Sequence, residues 1–188
     1  MKKFVITIAV AFFILASGTL ALAKSQQESA AEMDASLVLA TAPASGFDST
    51  LGITVGAGMM LPHIDKNLQG RIDISYFKWS ASEFGVDVSY TRIPILASGR
   101  YFIPTGDNKM KVYAQGGLEL SFDKAEAAVT VPFFGTVKSS ASDTNLGLVA
   151  GAGLELKINP QMSFVTDIRW HLITDGYFTL QGGLAFHI

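Results

Sequence analysis

The side chains of this sequence that could do chemistry are few and far apart. Its three histidines, His63, His171 and His187, fall in one turn-rich stretch and two alternating ones, and no two have the spacing of metal ligands. Asp167, Arg169 and His171 share one face at two-residue steps, but along an extended backbone Asp167 and His171 stand about 13 Å apart. They cannot bond each other, so a hydrolytic triad would need partners from neighbouring strands. Gly151-Ala152-Gly153 lacks the third glycine and the following helix of a nucleotide-binding loop. There is no cysteine, hence neither a disulfide nor a lipid-bearing thiol. The expectation is no catalytic residue, no cofactor and no metal site.

What the sequence does hold is a recurrent mixture of opposite charges: Arg71 and Asp73, Arg100, Glu119, Glu155, Asp167 and Arg169. Each lies on the polar side of an alternating segment. Facing water, such residues would simply be solvated. Facing the inside of a narrow barrel they would have to pair across it, because an isolated buried ion costs several kcal/mol.

The segments that must position them alternate with a period of two, and nothing after Ala23 keeps apolar residues at helical spacing for three turns. Leu51, Ile53, Val55, Ala57 and Met59 form one such row, and Ile72, Ile74 and Tyr76 another. Leu118, Leu120 and Phe122 make a third, followed by rows within residues 146–158, 162–172 and 178–188. A seventh strand lies in "GVDVSYTRIPILASGRYFI", where apolar parity slips from Val86, Val88 and Tyr90 to Ile93 and Ile95; a bulge near residues 92–94 would reverse the faces there. An eighth, "ASLVLATA", comes first in the chain. Tight connections, "PHIDKN", "PTGDNK" and "NPQ", follow the second, fourth and sixth strands, and the longer "PASGFDST", "KWSASE", residues 123–143 and "ITDG" lie between. This predicts an all-β fold: an eight-stranded antiparallel up-and-down barrel with turns at one end and loops at the other.

Met1-Lys2-Lys3 precedes an apolar run that ends in Ala21-Leu22-Ala23, after which the sequence turns polar, the pattern of a cleavable secretory signal. The expected organisation is a signal peptide at 1–23, a polar periplasmic segment at 24–34 and a barrel domain at 35–188. With 14 basic and 16 acidic side chains, nothing points to nucleic acid.

Alternation alone does not say which face meets lipid. The apolar faces are nearly free of charge and carry Tyr76, Tyr90, Tyr101, Phe122, Phe164, Trp170, Phe178 and Phe186, several near strand ends, as the aromatic girdles of a membrane barrel do. The stretches "SYTRIPILASGRYFI", "VYAQGGLELSF", "LGLVAGAGLELKI" and "YFTLQGGLAFHI" resemble the small outer-membrane β-barrel proteins (outer membrane protein beta-barrel domain, porin-like) over about residues 51–188. The resemblance implies a transmembrane barrel in the bacterial outer membrane, with lipid around it and insertion by the barrel-assembly machinery. That machinery reads a terminal signal of the form polar-x-Gly-x-x-aromatic-x-aromatic. Gln181, Gly183 and Phe186 fill the pattern, and Ile188 stands in its last place.

Eight strands enclose just enough space for side chains, so the expected role is a non-enzymatic envelope or surface protein with a lumen blocked by its charges. Two rivals have distinct signatures. Lipid A deacylases of this architecture use a His-Ser pair, but His171 is followed by Leu172, Ile173 and Thr174 in place of a His-x-Ser-Asn arrangement. A soluble periplasmic barrel holding an apolar ligand would exchange the two faces. In the stretch 123–143, Val129, Val131, Phe133 and Phe134 are too apolar for a solvated loop. They either extend two strands as a hairpin above the membrane or contact an extracellular ligand or partner.

Overall fold

The computed structural model describes residues 31–43, 46–83, 86–106, 109–131 and 135–188. The expected signal peptide, the first part of the segment 24–34, and Phe133 and Phe134 lie outside these residues. Eight strands follow in order: β1 (Ala31–Ala40), β2 (Thr50–Met60), β3 (Leu68–Glu83), β4 (Val86–Ile103), β5 (Met110–Val131), β6 (Gly135–Asn159), β7 (Met162–Leu172) and β8 (Tyr177–His187). Each pairs antiparallel with the next, and β8 pairs with β1, so the sheet closes and leaves no edge. The apolar row that ends the chain is therefore hydrogen-bonded on both sides.

The faces are those of a membrane barrel. Leu51 is 74% exposed and Phe186 49%, whereas Arg71 is 4% exposed and Glu155 3%. This excludes the soluble arrangement, in which the apolar rows would point inward. On the outside, Tyr101, Phe164 and Phe186 lie near the turn end, and Phe122 lies towards the loop end with Trp170 and Phe178, whose rings stack at 5.6 Å. Leu118, Leu120, Leu148, Ile168 and Leu180 fill the band between, the pattern of an apolar belt edged by aromatic girdles. β1, β2, β7 and β8 have 10 or 11 residues, matching the roughly 9–11 that a tilted strand needs to cross a bilayer.

β3 to β6 are longer, and their excess rises at the loop end as a wall on one side of the barrel. The expected loop "KWSASE" is the upper part of β3, paired with β4 as far as Glu83↔Val86. The stretch 123–143 is a hairpin whose strands pair from Met110↔Leu156 out to Val131↔Gly135.

The bulge expected near residues 92–94 does not exist. β4 keeps one register with β5 from Val86↔Val129 to Ile103↔Val112, and one register with β3 on either side of Pro94. Parity slips in the sequence because the surroundings change, not the backbone: even-numbered residues of β4 point inward throughout, while the outward odd-numbered residues are polar above the membrane, as Asp87 and Ser89 are, and apolar within it, as Ile93 and Ile95 are. Tyr90 accordingly belongs to the interior, where it packs on Trp79 at 5.8 Å, rather than to the outer girdle. β1 also begins earlier than the first apolar residue suggests. It takes in Glu32 and Asp34, both buried, from the segment read as periplasmic.

Candidate functional site: the charged lumen

Every strand sends its polar alternates inward, and the resulting charges form a ring. Arg71 Nη1 lies 3.0 Å from Glu32 Oε1, which lies 3.5 Å from Arg100 Nη1; Arg100 Nη2 lies 3.3 Å from Asp167 Oδ2. Asp167 Oδ1 accepts from Arg169 Nε at 2.9 Å, Arg169 Nη1 donates to Asp73 Oδ2 at 2.9 Å, and Asp73 Oδ1 returns to Arg71 Nη2 at 2.7 Å. Three cations and three anions thus alternate around a closed circuit that draws on β1, β3, β4 and β7. Asp34 adds a further carboxylate on Arg71, and Arg169 grips Asp167 with two nitrogens. Neutral groups fill some of the remaining valences: Tyr113 Oη and Gln181 Nε2 donate to Asp167 at 2.9 and 2.7 Å, and Gln69 Nε2 donates to Glu32 at 3.2 Å, while Arg71 Nε and Asp34 Oδ1 have no hydrogen-bond partner among the described residues. The Arg100 guanidinium also covers the Tyr113 ring at 4.4 Å.

Of the seven charges picked out in the sequence, Arg71, Asp73, Arg100, Asp167 and Arg169 are brought together in this ring. Glu119 sits nearer the loop end, where it accepts from His171 Nδ1 and from Tyr177 Oη at 3.3 Å. Glu155 sits at the turn-end mouth, accepting from Ser163 Oγ at 3.0 Å with Lys111 Nζ at 3.8 Å. Glu32 and Asp34 carry a weak signal in the sequence because they precede the first apolar run, although Glu32, Asp34 and Ser36 already alternate with Met33, Ala35 and Leu37. Nothing in the sequence sets Arg92 apart either. It holds Asp123 with two nitrogens, at 2.8 and 2.9 Å, below the loop-end rim, with its guanidinium over the rings of Tyr90 and Tyr177.

Apolar clusters bracket the charges. Val38, Ala40, Phe77, Trp79 and Tyr177 pack at the loop end, and Phe102, Tyr113, Val165 and Ala185 at the turn end. They flank the ring with apolar side chains, and in apolar surroundings an ion pair is stronger and costs more to break.

His171 completes a chain in the order of a hydrolytic triad: its Nε2 lies 3.1 Å from Thr179 Oγ1 and its Nδ1 meets Glu119. The chain is enclosed, however. Thr179 is 3% exposed and Tyr177 stacks on the imidazole at 4.1 Å.

Above the barrel the wall of β3 to β6 carries a cleft of about 550 Å³ lined by Ser80, Ser82, Asp87, Glu126, Lys138 and Ser140, among others. Lys124 donates to Glu126 at 2.7 Å and holds its carboxyl below the ordinary carboxylate range. Val129 is 39% exposed on this wall, and Val131 ends β5. On β8, Gln181 points into the lumen, Gly183 faces β1, Phe186 faces outward, and the Ile188 amide donates to Ala31 at 2.9 Å.

The fold is shared with known proteins. The chain is similar to a major outer membrane protein from Thermus thermophilus, at 13% identity over 84% of this chain and 99% of that one, with a TM-score of 0.61. It is similar to the outer membrane protein OprG from Pseudomonas aeruginosa, at 10% identity over 85% and 96% with a TM-score of 0.58. It is also similar to Neisserial surface protein A, at 19% identity over 84% and 96% with a TM-score of 0.52. At such identities the likeness is one of fold. No protein of curated function matches the sequence. The family model described as outer membrane protein beta-barrel domain matches residues 9–186. With its apolar face outward and its strands closed on themselves, the chain belongs to the outer membrane protein beta-barrel domain family and resides in the bacterial outer membrane.

Proposed function

We propose that this is a non-enzymatic envelope protein whose lumen is closed to solutes by its own side chains, and which meets the cell exterior through the wall of β3 to β6. One observation carries the reading: the six-membered circuit of Arg71, Glu32, Arg100, Asp167, Arg169 and Asp73 crosses the lumen, with no member more than 4% exposed. An eight-stranded barrel has room for side chains and little else. The purified protein in a planar bilayer is expected to give no large, steady conductance, and a stable open channel would replace this reading with that of a pore. Enclosure of Thr179, His171 and Glu119 supports the non-enzymatic part. Overexpression should leave the lipid A species unchanged; a change that disappears with His171→Ala would restore the enzyme.

The wall stands outside the hydrocarbon belt and, among the described residues, shares no ion pair with the ring, so its tip is separable from the barrel. Deleting residues 128–137, the tip of the β5–β6 hairpin, is expected to leave the heat-resistant compact form on detergent gels. Loss of the compact form would show that the hairpin is part of the barrel's fold. Contact with an extracellular ligand through Val129, Val131, Phe133 and Phe134, and reading of Gln181, Gly183, Phe186 and Ile188 by the assembly machinery, complete the proposal.

A further inference from the structure

The turn-end mouth gathers three side chains that no sequence spacing could relate. Glu32 of β1, Glu155 of β6 and His187 of β8 each offer one ligand atom, and the three atoms lie within 4.8 Å of one another. His187 Nε2 stands 3.4 Å from Glu155 Oε1, and its Nδ1 stands 3.9 Å from Glu32 Oε2. An imidazole gives one ion one nitrogen, so these two contacts, made by opposite ring nitrogens, are not both spacings about one metal; the three ligand atoms, within 4.8 Å of one another, would draw in towards the separation of about 3.3 Å that tetrahedral zinc with bonds of about 2.0–2.1 Å requires. Glu32 divides its oxygens: Oε1 is held by Arg71 and Arg100, while Oε2 takes the neutral amide of Gln69 and faces His187. From β7, Ser163 Oγ lies 2.8 Å from His187 Nε2 and 3.0 Å from Glu155 Oε1, so it holds the imidazole by Nε2 and leaves Nδ1, towards Glu32, as the ligand nitrogen.

A second, independent observation is the charge of the interior. Among the described residues, seven buried carboxylates face four buried guanidiniums. The excess is negative, and at this mouth Lys111 sets a half-exposed ammonium 3.8 Å from Glu155 Oε1. A metal cation would neutralise what the arginines leave over, and His187, with 13% of its side chain exposed, gives it a way in.

We propose that Glu32, Glu155 and His187 form a binding site for a divalent transition-metal ion of the zinc type at the turn-end mouth. An imidazole with two carboxylates suits such an ion better than magnesium or calcium, which prefer all-oxygen shells. The site joins β1 to β8, the pair that closes the barrel, and ties β6 to both. Bound metal would therefore clamp the seam.

The test uses tag-free full-length mature barrel, refolded in detergent, with zinc chloride titrated by calorimetry and folding of each variant checked by heat-dependent migration on a gel. Saturable one-to-one binding is expected, weakened by about tenfold or more in Glu155→Gln and in His187→Asn and unchanged in His63→Asn. Lys111→Met removes the competing ammonium and should tighten binding, an effect a merely structural role for these residues would not produce. Zinc should also slow unfolding in the wild type, and a chelator should reverse this. Cobalt(II) gives a readout that needs no variant: a visible absorption band that zinc displaces. Absence of saturable zinc binding, binding indifferent to His187→Asn, or no cobalt band would each overturn the proposal.

Discussion

Replacing Arg71 by methionine is expected to cost about 3–5 kcal/mol of folding stability, the usual result of removing one partner from a buried ionic group. Arg71 has no exposed side-chain surface and touches Glu32, Asp34 and Asp73. Methionine fills much of the volume, so packing loss is small. What remains is three carboxylates in a lumen where the nearest other cations, Arg100 and Arg169, are already engaged. Unfolding by urea in phospholipid vesicles measures the loss. Adding Glu32→Gln and Asp34→Asn to Arg71→Met should recover more than half of it, because neutral amides carry no uncompensated charge. A loss below about 1 kcal/mol, the value of a solvated pair, would mean that water fills the lumen.

The second large effect is expected at the seam. A Cβ on Gly183 would lie 2.2 Å from the Ala35 carbonyl oxygen and 2.5 Å from Ser36 Cα. Both are backbone atoms of the paired strand, so Gly183→Val cannot be relieved by a side-chain rotation. β1 and β8 must part. Failure to refold to the compact form is the expected outcome in vitro, where no assembly machinery is present and the effect belongs to closure alone. Gly182→Val is the matched control: its Cβ points to the lipid side and meets only Phe164 Cζ at 3.6 Å, ordinary contact distance. Equal folding of the two variants would contradict the close approach of β1 to β8.

Much of this fold could be read directly. Period-two rows such as Leu118, Leu120 and Phe122, together with the turns "PHIDKN", "PTGDNK" and "NPQ", specify strands and their order, since alternation and turn chemistry are local properties. What remained hidden is of another kind. Nothing local reveals that Glu119 meets His171 or that Arg100 reaches Asp167, because those partners meet across the lumen, 52 and 67 positions apart in the chain. Tyr90 reads as an outward residue, and residues 92–94 as a bulge, for one reason: where a strand leaves the membrane its outward residues change from apolar to polar and its inward ones can be apolar, and in sequence this looks the same as a change of register. Glu32 and Asp34 were hidden by the opposite effect, since a strand whose outward residues are Met33 and Ala35 announces itself weakly.

The central claim is that lipid, not protein, covers the apolar rows. Because the chain has no cysteine, single cysteines introduced at each position from Leu118 to Phe122 can be labelled with a fluorophore and quenched by brominated acyl chains. Quenching should be strong for Leu118→Cys, Leu120→Cys and Phe122→Cys, whose native side chains are 38–56% exposed, and absent for Glu119→Cys and Ser121→Cys, at 0%. Quenching at positions 119 and 121 with none at 118, 120 and 122 would turn the barrel inside out and end the account.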